Sequence, residues 1–131
     1  MKKFITFLFL IVSCVLVAQN VVNITYVTVP RQDSETFLEL HKKFTNLSLG
    51  DRNIIINSGI SDHAFAGDYT YAIYDFYQTA EDLVKDSDIS NKILGDNIKA
   101  MNLDEKAQAK MQKDYMAYLG MFIEGHSDQV R

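Results

Sequence analysis

Tyr69-Thr70-Tyr71-Ala72-Ile73-Tyr74-Asp75-Phe76-Tyr77, running directly into Gln78-Thr79-Ala80-Glu81-Asp82, is the stretch that decides how this chain folds. Nine residues so dense in aromatic and β-branched side chains read as a strand. The next five read as a helix start, with Thr79 able to cap and Asp82 standing where a capping box has Glu or Gln. Side chains alternate across a strand, so Tyr69, Tyr71, Ile73, Asp75 and Tyr77 share one face. Thr70, Ala72, Tyr74 and Phe76 share the other. Asp75, between Ile73 and Tyr77, carries the chemical information. On a covered face its carboxylate needs a partner, or its pKa rises. On an edge or dimer-facing strand it points outward, and the tyrosines are amphipathic packing.

Working upstream, Gly67-Asp68 is a turn signal. Ile54-Ile55-Ile56 opens an extended segment that runs to about Phe65 and forms a hairpin with Tyr69–Tyr77. Gly59 inside it predicts a bulge or a close backbone approach. Val21 to Val29 is another strand, with Val22, Ile24 and Tyr26 on one face, ended by Pro30. Asp33 or Ser34 then caps a helix whose Phe37, Leu40, Phe44 and Leu47 fall at helical spacing. Downstream of Thr79 the pattern predicts a short helix through Lys85 and a second one over Ile89–Met101. A fresh cap at Asn102–Glu105 begins a long helix from Leu103 to Glu124, about 33 Å in length. Its apolar side carries Ala107, Met111, Tyr115, Tyr118, Leu119 and Phe122, and Gly125 is its stop.

The order strand, helix, strand, strand, helices predicts an α+β domain with an antiparallel sheet packed by helices. A ferredoxin-like unit needs one further strand. Only Ser127–Arg131 follow the last helix, so the expectation is that this strand is missing or that the chain continues.

Residues 1–18 read separately. Met1-Lys2-Lys3, the uncharged Phe4–Leu16 and the small residue Ala18 have the form of a secretory signal peptide, too short to span a bilayer. Ile11-Val12-Ser13-Cys14 also has the form of a lipoprotein box, which makes lipidation at Cys14 the alternative to cleavage after Ala18. The expectation is a periplasmic or extracellular protein with residues 19–131 as one domain and no stable membrane span after cleavage. The 131-residue chain carries 13 basic and 17 acidic residues, net charge −4. Removing Lys2 and Lys3 makes it −6, which disfavours nucleic acid and acidic membrane surfaces. It also removes the one Cys, and with it disulfides, thiol nucleophiles and thiolate metal sites.

Tyr26-Val27-Thr28-Val29-Pro30, then Phe37-Leu38-Glu39-Leu40-His41-Lys42-Lys43-Phe44, resembles the first strand and helix of dimeric α+β barrel domains. These are the antibiotic-biosynthesis-monooxygenase-like and stress-responsive barrel families. Tyr69–Tyr77 with Gln78–Asp82 resembles their third strand entering the second helix. The chain is also similar to an uncharacterised exported group from Bacteroidetes-type bacteria. The resemblance, over roughly residues 21–85, implies a homodimer that pairs its sheets, with a pocket between sheet and helices. It implies no particular reaction. The helices after Asp82 are longer than the family's usual single second helix.

Three histidines are available. His41 sits at the edge of the first helix's apolar face, where a partly buried helix histidine is the plain reading. His63 sits near the hairpin turn, as a surface histidine. Some barrel relatives bind haem through a histidine, and the resemblance makes His63 the candidate here. His126 suits a helix C-terminus without any function. Asp62, His63 and Asp68 are the best metal cluster in the chain, but their spacing matches no known loop, and solvated turn acids explain them. The expected ligand site comprises His63, Asp75, Tyr71, Tyr74 and His41, with no metal and no cofactor. Met111, Met116 and Met121 read as core packing or as an adaptable groove. No phosphate loop or nucleophile elbow is present. The resulting expectation is a non-catalytic dimeric binding or interaction module of the cell envelope, taking a small apolar ligand. The alternatives are a barrel-type enzyme (cofactor-free monooxygenase or haem-handling) and a structural or assembly protein.

Overall fold

A computed structural model describes residues 20–49, 54–63 and 68–131. The segment read as a signal, with Cys14 and Ala18, and residues 50–53 and 64–67, with Phe65 and Gly67 of the expected hairpin, lie outside the described residues. The elements are β1 (Val21–Val27), a 3-10 turn (Arg31–Asp33), α1 (Ser34–Leu49), β2 (Ile55–Asp62), β3 (Tyr71–Tyr77), α2 (Ala80–Ala100), α3 (Glu105–Ile123) and β4 (His126–Val130). The four strands form one antiparallel sheet in the order β2-β3-β1-β4.

The strand expected to be missing is therefore present. β4 reads His-Ser-Asp-Gln-Val and is exposed throughout, so it lacks the alternation that betrays a strand. It is made by backbone pairing. Val22 and Arg131 exchange two N–H···O bonds of 2.9 Å, and the Thr28 N–H donates to Gly125 O at 3.0 Å.

The central strands stop earlier than their sequence suggests. Thr70 Oγ1 accepts from the Val29 N–H at 3.1 Å and lies 3.0 Å from Val29 O. A side chain thus takes the place of the ladder beyond Val27. Tyr69 leaves the face it was assigned with Tyr71 and packs at a tilt against Tyr26, centroids 4.5 Å apart. The irregularity of β2 lies between Ile55 and Asn57, not at Gly59, which pairs regularly with Tyr74.

Helices cover one sheet face. Tyr71, Ile73, Asp75 and Tyr77 lie on it, in register with Val27, Thr25, Asn23 and Val21. The opposite face presents Val22, Ile24 and Tyr26 beside Phe76, Tyr74 and Ala72.

The two helices expected after Thr79 are one, α2. Thr79 and Asp82 form the capping box in both directions. The polar Asp86-Ser87-Asp88 run does not break the helix, because Asp86 is anchored. Tyr77 Oη donates to it at 3.1 Å and Ser90 Oγ at 3.2 Å. α2 ends where Asn102 takes φ 47°, a conformation that asparagine tolerates. The cap of α3 is Asp104, which accepts the Ala107 N–H at 2.8 Å. α3 is therefore shorter than expected, about 28 Å.

Two apolar clusters hold the layers together. Val27, Val29, Phe37, Tyr71 and Ile73 form one under α1. Phe44, Leu94 and Met111 form the other, between the three helices. Tyr118 packs against both. α2 and α3 each pack on α1, while a cleft stays open between them. Asn97 on α2 donates to Leu47 O at 2.7 Å, which satisfies a carbonyl at the end of α1. Among the described residues, no helix is long and apolar enough to cross a membrane.

Candidate functional site

Between the covered sheet face and the three helices lies a cavity of about 280 Å³. The 3.6-residue period of α1 puts Phe37, His41 and Phe44 on one face. His41 follows Phe37 by one turn and stacks on it, centroids 5.8 Å apart. Only 8% of its surface is exposed. From α3, Tyr118 meets it, with His41 Nδ1 and Tyr118 Oη 3.0 Å apart. β1 contributes Thr25 and β3 contributes Asp75. Asp86 and Ser90 project from α2, one helical turn apart.

The electrostatics follow from burial. Desolvation lowers the His41 pKa below the ordinary histidine value, so the imidazole is neutral at pH 7. Burial first, then the negative charge of Asp75 and the neighbouring Tyr115, raise the Tyr118 pKa well above the ordinary phenol value. Two neutral groups therefore share the 3.0 Å hydrogen bond. The tyrosine donates to Nδ1 when Nε2 carries the imidazole proton, and accepts in the other tautomer. Thr25 Oγ1 donates to Asp128 Oδ1 at 2.5 Å and accepts from Asn23 Nδ2 at 3.2 Å, so β4 fixes one wall. Among the described lining residues there are two carboxylates and no lysine or arginine.

The burial of His41 has a pH consequence. Its folded pKa lies below its unfolded value of 6.5, so below that pH the unfolded chain binds the extra proton. Its contribution is present above pH 6.5 and is lost as pH falls from there toward the folded pKa. Urea denaturation of wild type and His41→Gln between pH 5 and 8 is expected to show a steeper acid-side loss in wild type. Parallel curves would refute the burial account.

The structure separates the five sequence-derived site residues. His41 and Asp75 line the cavity together. Asp75 takes the covered-face reading rather than the outward one, because the sheet's other side carries Ala72, Tyr74 and Phe76. Tyr71 shares the face of Asp75 but is built into the core, stacked on Phe37 at 5.4 Å. Tyr74 is on the opposite face, where Ser61 Oγ approaches its hydroxyl at 3.4 Å. His63 ends beyond β2, its ring 4.3 Å from that of Tyr69. One site cannot contain all five, since strand alternation puts Tyr74 and Asp75 on opposite sides of the sheet.

Sequence reasoning missed Tyr118, Asp86 and Ser90. Tyr118 was visible only as a member of an apolar helix side, and its partner His41 is 77 residues away. The Asp86/Ser90 spacing of one helical turn was the available signal, hidden by reading a helix break there. Of the methionines, Met111 and Met121 join the cores, and Met116 is exposed.

Among the described residues, no three His, Cys, Asp or Glu side chains come close enough to hold a metal. Asp62, His63 and Asp68 thus remain separate. His63 has Tyr69 against it, and its buried Nδ1 has no partner among the described residues.

No protein-family model matches the chain, and no curated protein matches it in sequence. Solved structures do match in shape. A conserved protein from Methanosarcina mazei superposes with a TM-score of 0.57 at 8% identity, covering 87% of this chain and 92% of that one. A protein assigned as an antibiotic biosynthesis monooxygenase, from Nitrosomonas europaea, gives 0.50 at 13% identity over 87% and 86%. An ethyl tert-butyl ether degradation (EthD) family protein from Bacillus halodurans gives 0.48 at 14% identity over 86% and 97%. At 8% and 13% identity the likeness to the first two concerns the backbone alone, and together with the strand order it establishes that the chain has a ferredoxin-like α+β fold.

Proposed function

We propose that this chain is an exported homodimeric module that binds a small molecule in the cavity between sheet and helices. The observation that carries the reading is the meeting of the buried His41–Tyr118 pair and Asp75 around one space of about 280 Å³. Ile73, Leu119 and Phe122 supply apolar wall beside a larger set of convergent polar side chains, and converging polar groups are what fix a ligand's orientation. Support for a dimer comes from the sheet's open face. Val22, Ile24, Tyr26, Tyr74 and Phe76 form a half-buried apolar patch there, suited to a second sheet. Export rests on the Met1–Ala18 segment.

Native mass spectrometry of the protein purified from its host tests this directly. The expected species is a dimer carrying non-covalent mass, with the mass reduced or absent in Asp75→Asn. A bare monomer from the same preparation would refute the proposal. The neutral His41 imidazole beside Tyr118 and Asp75 favours one second reading, a cofactor-free barrel enzyme in which this pair moves a proton on the ligand. Chemical conversion of the ligand by wild type, abolished in His41→Gln, would select that reading over simple binding.

A further inference from the structure

We infer that the open cleft between α2 and α3 is a second binding site, and that it takes a medium-chain aliphatic carboxylate. The chain lies along the apolar floor and the carboxylate sits beside Lys99. Among the described lining residues, Asn91 alone borders both this cleft and the cavity of His41 and Asp75. The two sites therefore stand or fall separately.

The cleft is written into two helical stripes. Asn91, Leu94, Gly95, Ile98 and Lys99 recur at the spacing of one helix face on α2. Met111, Gln112 and Tyr115 follow Gln108 in the same way on α3. An apolar stripe of this kind ordinarily packs on a neighbour. Here both helices pack mainly on α1, and a space of about 580 Å³ is left between them. Its floor is core. Leu94 and Met111 are each 8% exposed and join Phe44 in the inter-helix cluster, with Ile98, Leu103 and Tyr115 packed against it.

Volume, length and charge say what fits. The volume lies within the range of small-molecule sites, about 300–1,000 Å³. The α2 wall from Asn91 to Lys99 is about 12 Å long. The connection between the helices bounds one end, where Gln108 Nε2 donates to Leu103 O at 3.0 Å. A peptide helix short enough to lie inside would have about eight residues, too few to hold together in water. An extended alkyl chain needs no such partner structure, and the adaptable Met111 lies in its path. Among the described lining residues there is one cation, Lys99, and no carboxylate. Lys99 is exposed in the last turn of α2, at the bounded end. Asp96, a carboxylate that feels its charge, is bound by Lys92 Nζ at 2.7 Å. Asp104, on the connection, is taken up as the cap of α3. An anionic head thus meets a cation at the bounded end, and an ammonium head is repelled there.

Calorimetric titration with decanoate, butyrate and decylamine tests the inference, using wild type, Gly95→Phe, Lys99→Glu and Asp75→Asn. Full burial of a methylene tightens binding by about fourfold, and a half-open cleft by about twofold. Decanoate, six methylenes longer, should therefore bind wild type roughly 50-fold tighter than butyrate. Decylamine should bind more weakly than decanoate, and Lys99→Glu should reverse that order. A Cβ built at Gly95 meets no atom within 4 Å, so Gly95→Phe is expected to fold and to fill the cleft, removing most of the chain-length gain. Gly95→Leu serves as a second, smaller plug. In NMR spectra, decanoate should shift the methyl resonance of Met111 and leave that of Met116, which is exposed and lies outside the cleft lining. Decanoate affinity that survives both Gly95 variants, or an unmoved Met111 methyl, means that the chain does not occupy the cleft and overturns the inference. Decylamine binding wild type as tightly as decanoate, or an order unchanged in Lys99→Glu, overturns the head assignment. Loss of decanoate binding in Asp75→Asn would place the molecule in the inner cavity and overturn the cleft site while the cavity reading stands. No binding of decanoate to wild type also overturns the cleft site and leaves the cavity reading as it was.

Discussion

Phe37→Ala is expected to lower the unfolding free energy by about 3–5 kcal/mol, the range for truncating a buried phenylalanine. The side chain has no exposed surface. Its ring stacks on Tyr71 at 5.4 Å and on His41 at 5.8 Å, and lies 5.9 Å from Tyr118. It is therefore the point where α1, β3 and α3 meet. Truncation removes the transfer free energy of the ring and leaves a void that these rigid neighbours cannot fill. A domain of this size has about 5–15 kcal/mol in total, so the variant should melt much earlier or fail to fold. The loss should also reach the site, since Phe37 packs flat against His41. Phe37→Leu, which retains most of the volume, should recover much of the stability. A denaturant midpoint for Phe37→Ala within error of wild type would show that this cluster does not hold the layers together.

Gly125→Ala is expected to destabilise by about 1–3 kcal/mol, as overpacking does. The cause is backbone proximity. A Cβ at Gly125 would stand 2.7 Å from Thr28 O and 3.2 Å from Thr28 Cβ. Those atoms belong to the chain just beyond β1, and cannot move aside as a flexible side-chain tip could. The same two residues share the hydrogen bond that begins the β1–β4 ladder. The damage should be local, with faster amide exchange in His126–Val130 and little change in α1. Gly120→Ala supplies the opposite sign. It lies within α3, with nothing within 4 Å of its added Cβ, so helix propensity should raise stability by up to about 1 kcal/mol. Equal effects of the two substitutions would rule out the close approach at Gly125.

How far the fold was legible depends on the kind of signal each segment carries. β1 and β3 declare themselves by aromatic and β-branched density, and α1 by Phe37, Leu40, Phe44 and Leu47 at helical spacing. These signals are local, because the period of the buried side chains is the period of the backbone. The same holds for the capping box at Thr79–Asp82, found as expected. β4 has no such signal. All its residues are exposed, and what makes it a strand is a neighbouring backbone about a hundred residues earlier. The continuity of α2 across Asp86-Ser87-Asp88 also rests partly on a contact outside the helix, since the Tyr77 hydroxyl on β3 helps to hold Asp86.

The candidate site divides along the same line. His41 and Asp75 could be singled out because a polar group on an apolar face is conspicuous in one dimension. The sequence by itself determined the α+β class, the elements β1, α1 and β3 and these two polar exceptions, since each follows from side-chain periodicity within a dozen residues. Only the tertiary structure decided that β4 closes the sheet, that Tyr118 meets His41, and that Tyr71, Tyr74 and His63 stand apart from the cavity. Those outcomes depend on which face of each element turns inward and on which distant backbone lies alongside, and both are settled by packing the layers together rather than by any local pattern.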